Sequence, residues 1–204
     1  YLFSMMSSMM HARLEELRQG ANPPFIQAAS GDSDFLLSKT AEAFVGMAVS
    51  KDDGIQTAIS ALVREIERAR KFGFTASEYA RAKADYLRSL ESAYNERDKM
   101  KNNQYVQEYV RHFIDNEPIP GIEMEYTLMN QLAPSIPVEA INSILPQLIK
   151  DENIVINIFG PDKEGMVYPT EAEILDILKN TKAEEITAYV DKVSDEPLMK
   201  ETPK

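Results

Sequence analysis

Apolar residues near the start of the chain recur at helical spacing and then follow the alternating pattern of strands. Steps of three and four residues between them predict an amphipathic helix over about 2–19. A short strand is predicted at 25–30, followed by a polar turn at 31–34. From 37 to 49 apolar and polar residues alternate, which predicts a long half-buried strand paired antiparallel with the first.

The middle of the chain is predicted to be helical. Thr75 and Glu78 have the spacing of a capping box, in which each side chain satisfies a backbone N–H of the other at a helix start, and Phe74 is placed to pack onto Tyr79. Pro146 is expected to kink or shorten a later helix. The predicted helices run from a cap at Asp52 or Asp53 to an end at Gly73, and then over about 75–99, 102–115, 123–132 and 135–148.

The last third combines an apolar run with an acidic segment. The nearly continuous apolar residues at 154–159 predict a strand inside a sheet rather than at its edge. From 162 onward the sequence carries a net charge of −5, with two short helices predicted at 170–179 and 183–191. This change of character predicts a folded domain that ends near 161 and an acidic connecting segment after it.

The order of these elements predicts an α+β fold, with helices packed on one face of an antiparallel sheet. Three predicted strands are few for so much helix. The chain also opens inside a helical pattern without an initiating Met. We therefore expect a fragment of a longer polypeptide that carries further strands of the same sheet.

Composition excludes several classes of function. The chain has 204 residues and a formal net charge of −11, and a surface this acidic repels nucleic acid. No apolar run reaches the roughly 18 residues that a membrane-spanning helix requires, so no membrane span is predicted. The absence of Cys removes disulfides, cysteine-bound metals and thiol nucleophiles.

The two histidines leave little material for metal or acid–base chemistry. His11 and Glu15 are one helical turn apart and could supply two zinc ligands, but a hydrolytic zinc needs a third protein ligand and none is evident. An ordinary intrahelical pair is the favoured interpretation. His112 could act as a general base, although a surface or half-buried histidine is favoured. We predict no catalytic residue and no metal ligand in this chain.

Three further features have both a functional and a structural interpretation. The Met-rich face of the first helix could bind varied partners, although core packing is favoured. The tyrosines of the middle helices could stack on a ligand, although helix–helix contacts are favoured. Residues 64–101 carry a net charge of +3 and could attract an acidic partner, although solvated faces with internal ion pairs are favoured. The residues concerned in the first two cases are Met5, Met6, Met9, Met10, Tyr79, Tyr86, Tyr94, Tyr105 and Tyr109.

Several short motifs follow the order and spacing of one known family. The first helix contains the pattern Arg-Leu-x-Glu-Leu-Arg at 13–18, and a strand beginning at Phe25 follows it. The capping box at 75–78 is followed by Ala-Lys at 82–83, and the apolar run 154–159 ends in Gly-Pro. An acidic connector lies at 168–198. In these motifs the chain resembles the pitrilysin/insulinase family of zinc peptidases (the inverzincins).

The resemblance implies a mitochondrial-processing-peptidase-like and LuxS-like metallohydrolase fold, present as a partial unit. The zinc-binding repeat of that family carries His-x-x-Glu-His and a distant Glu, and no position here matches them. The resemblance therefore implies a non-catalytic repeat: an N-terminally incomplete, inactive peptidase-like domain over 1–161 and an acidic inter-domain linker with short helices over 162–204. Zinc is expected only in the catalytic repeat of the parent protein, which would hydrolyse peptide bonds.

The implied role is to wall the chamber that holds an unfolded peptide substrate, with the other repeats of the same polypeptide as partners. In the last repeat of some family members, an Arg and a Tyr seven residues later touch substrate. Arg18 and Phe25 have that spacing and are the expected substrate-binding residues, although Phe25 lacks the hydroxyl, which fits a second rather than a fourth repeat. The edge strand at 25–30 could bind an extended peptide through its backbone. Long bacterial members imply an envelope or periplasmic location.

Two other functions stay open. The chain could be a non-catalytic structural or scaffold subunit with the same fold, like the core proteins of respiratory complexes. It could also be a helical binding module whose Met face holds amphipathic partners.

Overall fold

A computed structural model of the chain describes residues 1–34, 42–162 and 164–192. The chain divides within its third helix into two compact units. One is Tyr1–Tyr79 together with the chain from Val138, and the other is Ala80–Pro137. The elements are α1 (Leu2–Arg18), β1 (Gln27–Asp34), β2 (Glu42–Val49), α2 (Ile55–Phe72), α3 (Ala76–Asn95), α4 (Asn102–Asp115), α5 (Gly121–Leu132), α6 (Val138–Asn142), α7 (Leu145–Leu148) and α8 (Glu171–Ala183), with short 3-10 turns at Arg97–Lys99 and Ala133–Ser135.

The first unit packs helices on one face of a β-hairpin. Strands β1 and β2 pair antiparallel, with Gln27 opposite Val49 and Asp34 opposite Glu42. Helix α1 packs on β1 and α2 packs on β2. Their shared core contains Leu14, Phe25, Ala28, Ala58, Ala61 and Leu62. The α+β class is therefore confirmed, as a mostly helical fold around a two-stranded antiparallel sheet.

The hairpin differs from the predicted one at its closing end. Residues 31–34, predicted as a turn, continue strand β1, so that prediction was wrong. Gly31 lies there because α1 passes close to the strand, and a Cβ at this position would collide with the side chain of Ser7. The predicted second strand is present from Glu42 to Val49, whereas its first residues, 37–41, lie outside the described residues.

The wider sheet is not formed by the parts of the chain that the structure describes. Residues 154–159 belong to no helix and to no strand ladder among the described residues, so the predicted strand inside a sheet was wrong for this chain. The physical reason is that a strand needs a neighbour to form its hydrogen bonds, and an apolar run specifies only the capacity to pair.

The second unit contains most of α3, together with α4 and α5, which confirms the helices predicted there. Tyr94 of α3 stacks on Tyr126 of α5, with ring centroids 4.5 Å apart, and Arg97 lies over the Tyr94 ring. This confirms the helix-contact interpretation for Tyr94. In contrast, Tyr105 and Tyr109 of α4 are exposed, together with the nearly fully exposed Phe113.

A proline and a capping box define the helices with which the chain returns to the first unit. The helix predicted at 135–148 is interrupted as expected, because α6 ends at Asn142 and α7 begins again at Leu145 with Pro146 in its first turn. Helix α8 starts with a capping box between Thr170 and Glu173 and packs on α2. The helix predicted at 183–191 is not formed, since the chain leaves helical geometry after α8.

Candidate functional site

The most strongly constrained polar group in the first unit is the guanidinium of Arg13. Arg13 lies on the face of α1 that packs inward, and it is 2% exposed. Its Nε and Nη2 donate to the two carboxylate oxygens of Glu78 at 2.6 and 2.9 Å. Its Nη2 also donates to the Gly73 carbonyl at 2.9 Å, and its Nη1 donates to Glu65 at 3.4 Å. Every nitrogen of the group therefore has an acceptor, as a buried charge requires.

Two aromatic rings enclose this guanidinium. The Arg13 carbon Cζ lies 4.8 Å from the ring centroid of Phe74 and 4.5 Å from that of Tyr189. Both distances are within the range of cation–π attraction, which is stronger away from water. The planar group is thus fixed by ion pairs at its edge and by rings nearby, so Arg13 joins α1 to α2, to α3 and to the segment after α8.

Local sequence places Glu78 for this contact. Glu78 accepts the backbone N–H of Thr75 at 2.8 Å, and the Thr75 hydroxyl accepts the backbone N–H of Glu78 at 3.2 Å. The predicted capping box is therefore confirmed, and the same carboxylate binds Arg13. Gly73 has a φ of 69°, which ends α2. The Asn142 side chain bridges the backbone N–H and C=O of Phe74 at 2.8 and 3.0 Å.

Burial perturbs the acidic and phenolic groups around Arg13. Burial raises the pKa of Glu65, although Arg68 and Arg13 oppose this shift. Tyr189 donates its hydroxyl to the Glu16 carboxylate at 2.7 Å. Burial and the negative charge of Glu16 raise the pKa of Tyr189, so its hydroxyl stays protonated across the physiological range.

A second charged cluster joins α2, α8 and the loop after α7. The buried Glu67 accepts two hydrogen bonds from Arg70, at 2.9 and 2.6 Å. Asp151 binds Arg70 at 2.8 Å and Lys182 at 2.6 Å. These two cations hold the pKa of Asp151 at about 2, below its ordinary value of 3.8.

This depressed pKa makes a pH prediction for Asp151→Asn. A carboxyl whose pKa is lower in the folded state contributes stability above its unfolded pKa, and this contribution is lost as the pH falls toward the folded pKa. We expect the variant to unfold at lower urea than the parent chain at pH 7, and the gap to narrow between pH 4 and pH 2. Urea titrations at several pH values measure it. Asp85→Asn is the control, because Asp85 pairs with Arg88 on an exposed helix face. An Asp151→Asn gap that is independent of pH would contradict the prediction.

Three of the basic residues at 64–101 hold part of the acidic segment, while others form the internal ion pairs that were predicted, such as Arg70 with Glu67. Arg64 binds the Glu184 carboxylate through two hydrogen bonds, at 2.6 and 2.8 Å, and lowers the pKa of that carboxyl. Arg68 donates to the Thr187 carbonyl at 3.0 Å. Lys71 donates to the Lys182 carbonyl at 3.3 Å. The charge difference between 64–101 and the acidic C-terminal part was the sequence signal for this contact.

A groove lies between the loop after α1 and residues 187–190. Its lining includes Gly20, Asn22, Pro24 and, at its charged side, Arg13 and Arg68.

The predicted substrate residues differ in their surroundings. Arg18 is exposed and pairs with Glu15, whose pKa it lowers. Phe25 is fully buried in the core between α1 and α2, so it could act on a peptide only by holding strand β1 in place.

The histidines are not grouped with other possible metal ligands in the part of the chain that the structure describes. His11 is exposed on α1, and Glu15 pairs with Arg18. His112 Nδ1 lies 2.6 Å from the Glu117 carbonyl. Among residues 1–34, 42–162 and 164–192, no three His, Asp or Glu side chains are grouped so that they could hold a metal ion. The residues that the structure describes therefore do not fit a zinc site.

The methionine face is core. Met5, Met6, Met9 and Met10 are all essentially buried, including the neighbours Met5 and Met6, because α1 is covered on more than one side. The core interpretation is confirmed, and the Met face is not available as a surface that holds amphipathic partners. Tyr79 is also buried, and its hydroxyl lies 3.0 Å from that of Tyr1.

The groups around Arg13 can bind and position parts of the chain. Arg13 has its donors occupied, and Glu78 is held by both Arg13 and the capping box. Arg13 was not among the site residues predicted from the sequence. The sequence carried two signals for this cluster. One was a charged residue on the inward face of an apolar helix, inside a family motif, and the other was the second motif, which supplies Glu78.

Comparisons with known proteins agree with these motifs. No protein-family model matches the chain. A relative described as zinc protease PQQL-like, from Arabidopsis thaliana, is 30% identical over 102 residues, which is 50% of this chain and 11% of that protein. The chain therefore spans a small part of the relative it matches.

Solved structures share the fold. The periplasmic protease PqqL from Escherichia coli matches 99% of this chain with a TM-score of 0.76 and 20% identity, over 22% of its own length. The first half of the same protease matches 93% of this chain with a TM-score of 0.70, over 41% of that half. In the described part of this chain, no helix is both long and apolar enough to span a membrane. Together with the motifs, these matches show that the chain is homologous to one segment of the PqqL-like zinc proteases of the pitrilysin family.

Proposed function

We propose that the chain is a non-catalytic segment of a zinc metalloendopeptidase that packs against the catalytic repeat and helps to enclose a peptide substrate. The observation that carries this proposal is the fold match over 99% of the chain to part of a larger protease. The lack of His-x-x-Glu-His in the sequence and of a metal-ligand cluster among the described residues supports a role outside the chemical step. The zinc of the parent protein would activate water in another repeat.

The position within the parent is also a proposal. The match to the first half of PqqL supports an inactive peptidase-like domain over 1–161 in the second repeat rather than the fourth. In this proposal 162–204 is the acidic linker to the next repeat. Its described part is held against α2 by Arg64 and Arg68, which would fix the direction in which the linker leaves the domain. Because the matched E. coli protease is periplasmic, we propose an envelope location for the parent.

Arg18 is the proposed contact with an unfolded peptide. It is exposed at the end of α1, and Glu15 orients its guanidinium without burying it. A guanidinium in this state can exchange its partner for a peptide carboxylate or carbonyl. Strand β1 has one ladder partner among the described residues, β2, so an extended peptide could add to its other edge.

Peptide hydrolysis by the complete parent polypeptide tests the proposal. We expect chelation to abolish cleavage and zinc to restore it, while the 204-residue chain alone neither cleaves peptides nor binds zinc with sub-micromolar affinity. In the parent, Arg18→Ala is expected to raise KM by roughly 3- to 10-fold with little change in kcat, because a binding contact is lost without loss of the chemistry. Arg88→Ala is the matched control, since Arg88 also makes an exposed i,i+3 pair.

The results separate two functions. Tight zinc binding by the isolated chain would overturn the non-catalytic assignment. A parent polypeptide without zinc-dependent cleavage would instead favour a structural or scaffold subunit with the same fold, for which the fully occupied Arg13 cluster provides the rigidity.

A further inference from the structure

The chain after α8 contacts three helices of the first unit over residues 184–192, a segment that we call the strap. Glu184 at its start accepts two hydrogen bonds from Arg64, and Tyr189 near its end donates its hydroxyl to Glu16. The helix residues that hold the strap are Arg64 and Arg68 on α2, Arg13 and Glu16 on α1, and Ser77 on α3. The strap is therefore attached at several separate points along its length.

Polar contacts at accessible positions account for most of this attachment. The side chains of Arg64 and Glu184 are 37% and 41% exposed. Ile186 is buried, whereas Val190 is 75% exposed. Among the described residues, the backbone–backbone hydrogen bonds of the strap connect it only to α8 and to itself. A segment with so little buried apolar surface and no strand ladder can detach at a lower cost than the helices beneath it.

The helices beneath the strap hold one another without it. The acceptors of the Arg13 guanidinium lie in α2, in α3 and in the turn between them, so none of them belongs to the strap. Arg64 and Arg68 lose strap acceptors when the strap leaves, but both side chains are partly exposed, so water can replace those acceptors. Release of the strap is therefore expected to leave the contacts between α1, α2 and α3 intact.

Tyr189 makes the strongest contact between the strap and the interior. Its ring lies 4.5 Å from the Arg13 carbon Cζ, within cation–π range, and Arg13 is 2% exposed with this ring in place. Its hydroxyl donates to the Glu16 carboxylate at 2.7 Å, and a hydrogen bond to a charged acceptor is stronger than one between neutral groups. Tyr189 therefore anchors the strap and keeps water from one side of the buried guanidinium.

We infer that the strap is a conformational device, which docks and releases as one piece while the three helices beneath it stay folded, with Tyr189 as its anchor. Its consequence for the parent rests on the proposed function, in which 162–204 is the linker to the next repeat. The docked strap fixes where the linker leaves the domain. The released strap adds roughly 30 Å of extended chain to the linker.

Chymotrypsin cleavage after Tyr189 in the 204-residue chain tests the inference, because a protease cleaves only a segment that has left the folded surface. A synthetic peptide of residues 184–192 gives the rate without docking. We expect the chain to be cleaved there roughly 100-fold more slowly than the peptide, with little change in low urea, because local release exposes little surface. Equal rates in chain and peptide would overturn docking. A rate that rises with urea as steeply as global unfolding would overturn separate release.

Matched variants make the test specific to the strap contacts. Glu184→Gln and Glu185→Gln each remove one negative charge from neighbouring exposed residues, but Glu184 is the one that Arg64 binds. We expect Glu184→Gln to speed cleavage about 3-fold and Glu185→Gln to leave it unchanged. Tyr189→Phe keeps a chymotrypsin site but loses the bond to Glu16, and it is expected to speed cleavage about 10-fold. Equal rates in all three variants would overturn the inference.

These measurements involve no activity of the parent polypeptide. Rates that overturn the strap would leave the proposed non-catalytic role standing. A parent without zinc-dependent cleavage would overturn that role and leave the strap standing.

Discussion

Replacing Arg13 with methionine is expected to destabilise the chain by about 3–5 kcal/mol, the cost typical of removing one partner from a buried ion pair. Methionine fills similar volume between the Phe74 and Tyr189 rings but leaves the carboxylates of Glu65 and Glu78 without their shared cation. Urea unfolding followed by far-UV circular dichroism measures the loss of free energy of unfolding.

Two further variants show whether the loss comes from uncompensated charge. Arg18→Ala removes an exposed guanidinium from the same helix and is expected to change stability little. Glu65 keeps its ion pair with Arg68 in this variant, so Glu78 is the carboxylate that loses its cation. Adding Glu78→Gln to Arg13→Met removes that charge, and glutamine keeps the capping geometry at 78. We expect the double variant to recover a substantial part of the loss. A loss below about 1 kcal/mol for Arg13→Met would contradict the assignment.

Gly73→Ala is expected to cost about 3 kcal/mol through backbone strain and a clash at the end of α2. Gly73 has φ 69° and ψ −161°, a conformation that residues with a Cβ strongly avoid. A Cβ there would lie 2.5 Å from the Asn142 side chain, which must then release the Phe74 backbone. Urea unfolding again gives the free energy.

Gly121 provides a matched control for this substitution. It has the same φ of 69°, but a Cβ at 121 would have no atom within 4 Å. We expect Gly121→Ala to cost about 1 kcal/mol, the strain of the left-handed backbone without the clash. Equal losses of free energy of unfolding in the two variants would contradict a destabilising clash with Asn142.

Structural features that depend on neighbours within a few residues were predicted well from the sequence. Helix α1, the capping box at Thr75 and the interruption at Pro146 each depend on neighbours along the chain. The strand predicted at 154–159 and the Arg13 cluster both require partners far away in sequence. An apolar run shows that a segment can enter a sheet, but not where its neighbour comes from.

The candidate site shows the same limit. The motifs containing Arg13 and Glu78 supported the homology to PqqL-like zinc proteases, but nothing in their spacing showed that the two side chains meet. Arg18 was predicted from a motif position, and it stays a prediction. Phe25 shared that prediction, yet its side chain is needed in the core because the strand enters the hairpin beneath α1.

The double role of Glu78 has a consequence for the order of folding. The Arg13–Glu78 contact closes a loop of 65 residues, whereas the turn from Thr75 to Glu78 can form locally. An early turn would fix the rotamer of Glu78 before α1 arrives, and so reduce the entropy lost in the long-range closure. Thr75, which binds Glu78 rather than Arg13, would then influence how quickly the distant helix docks.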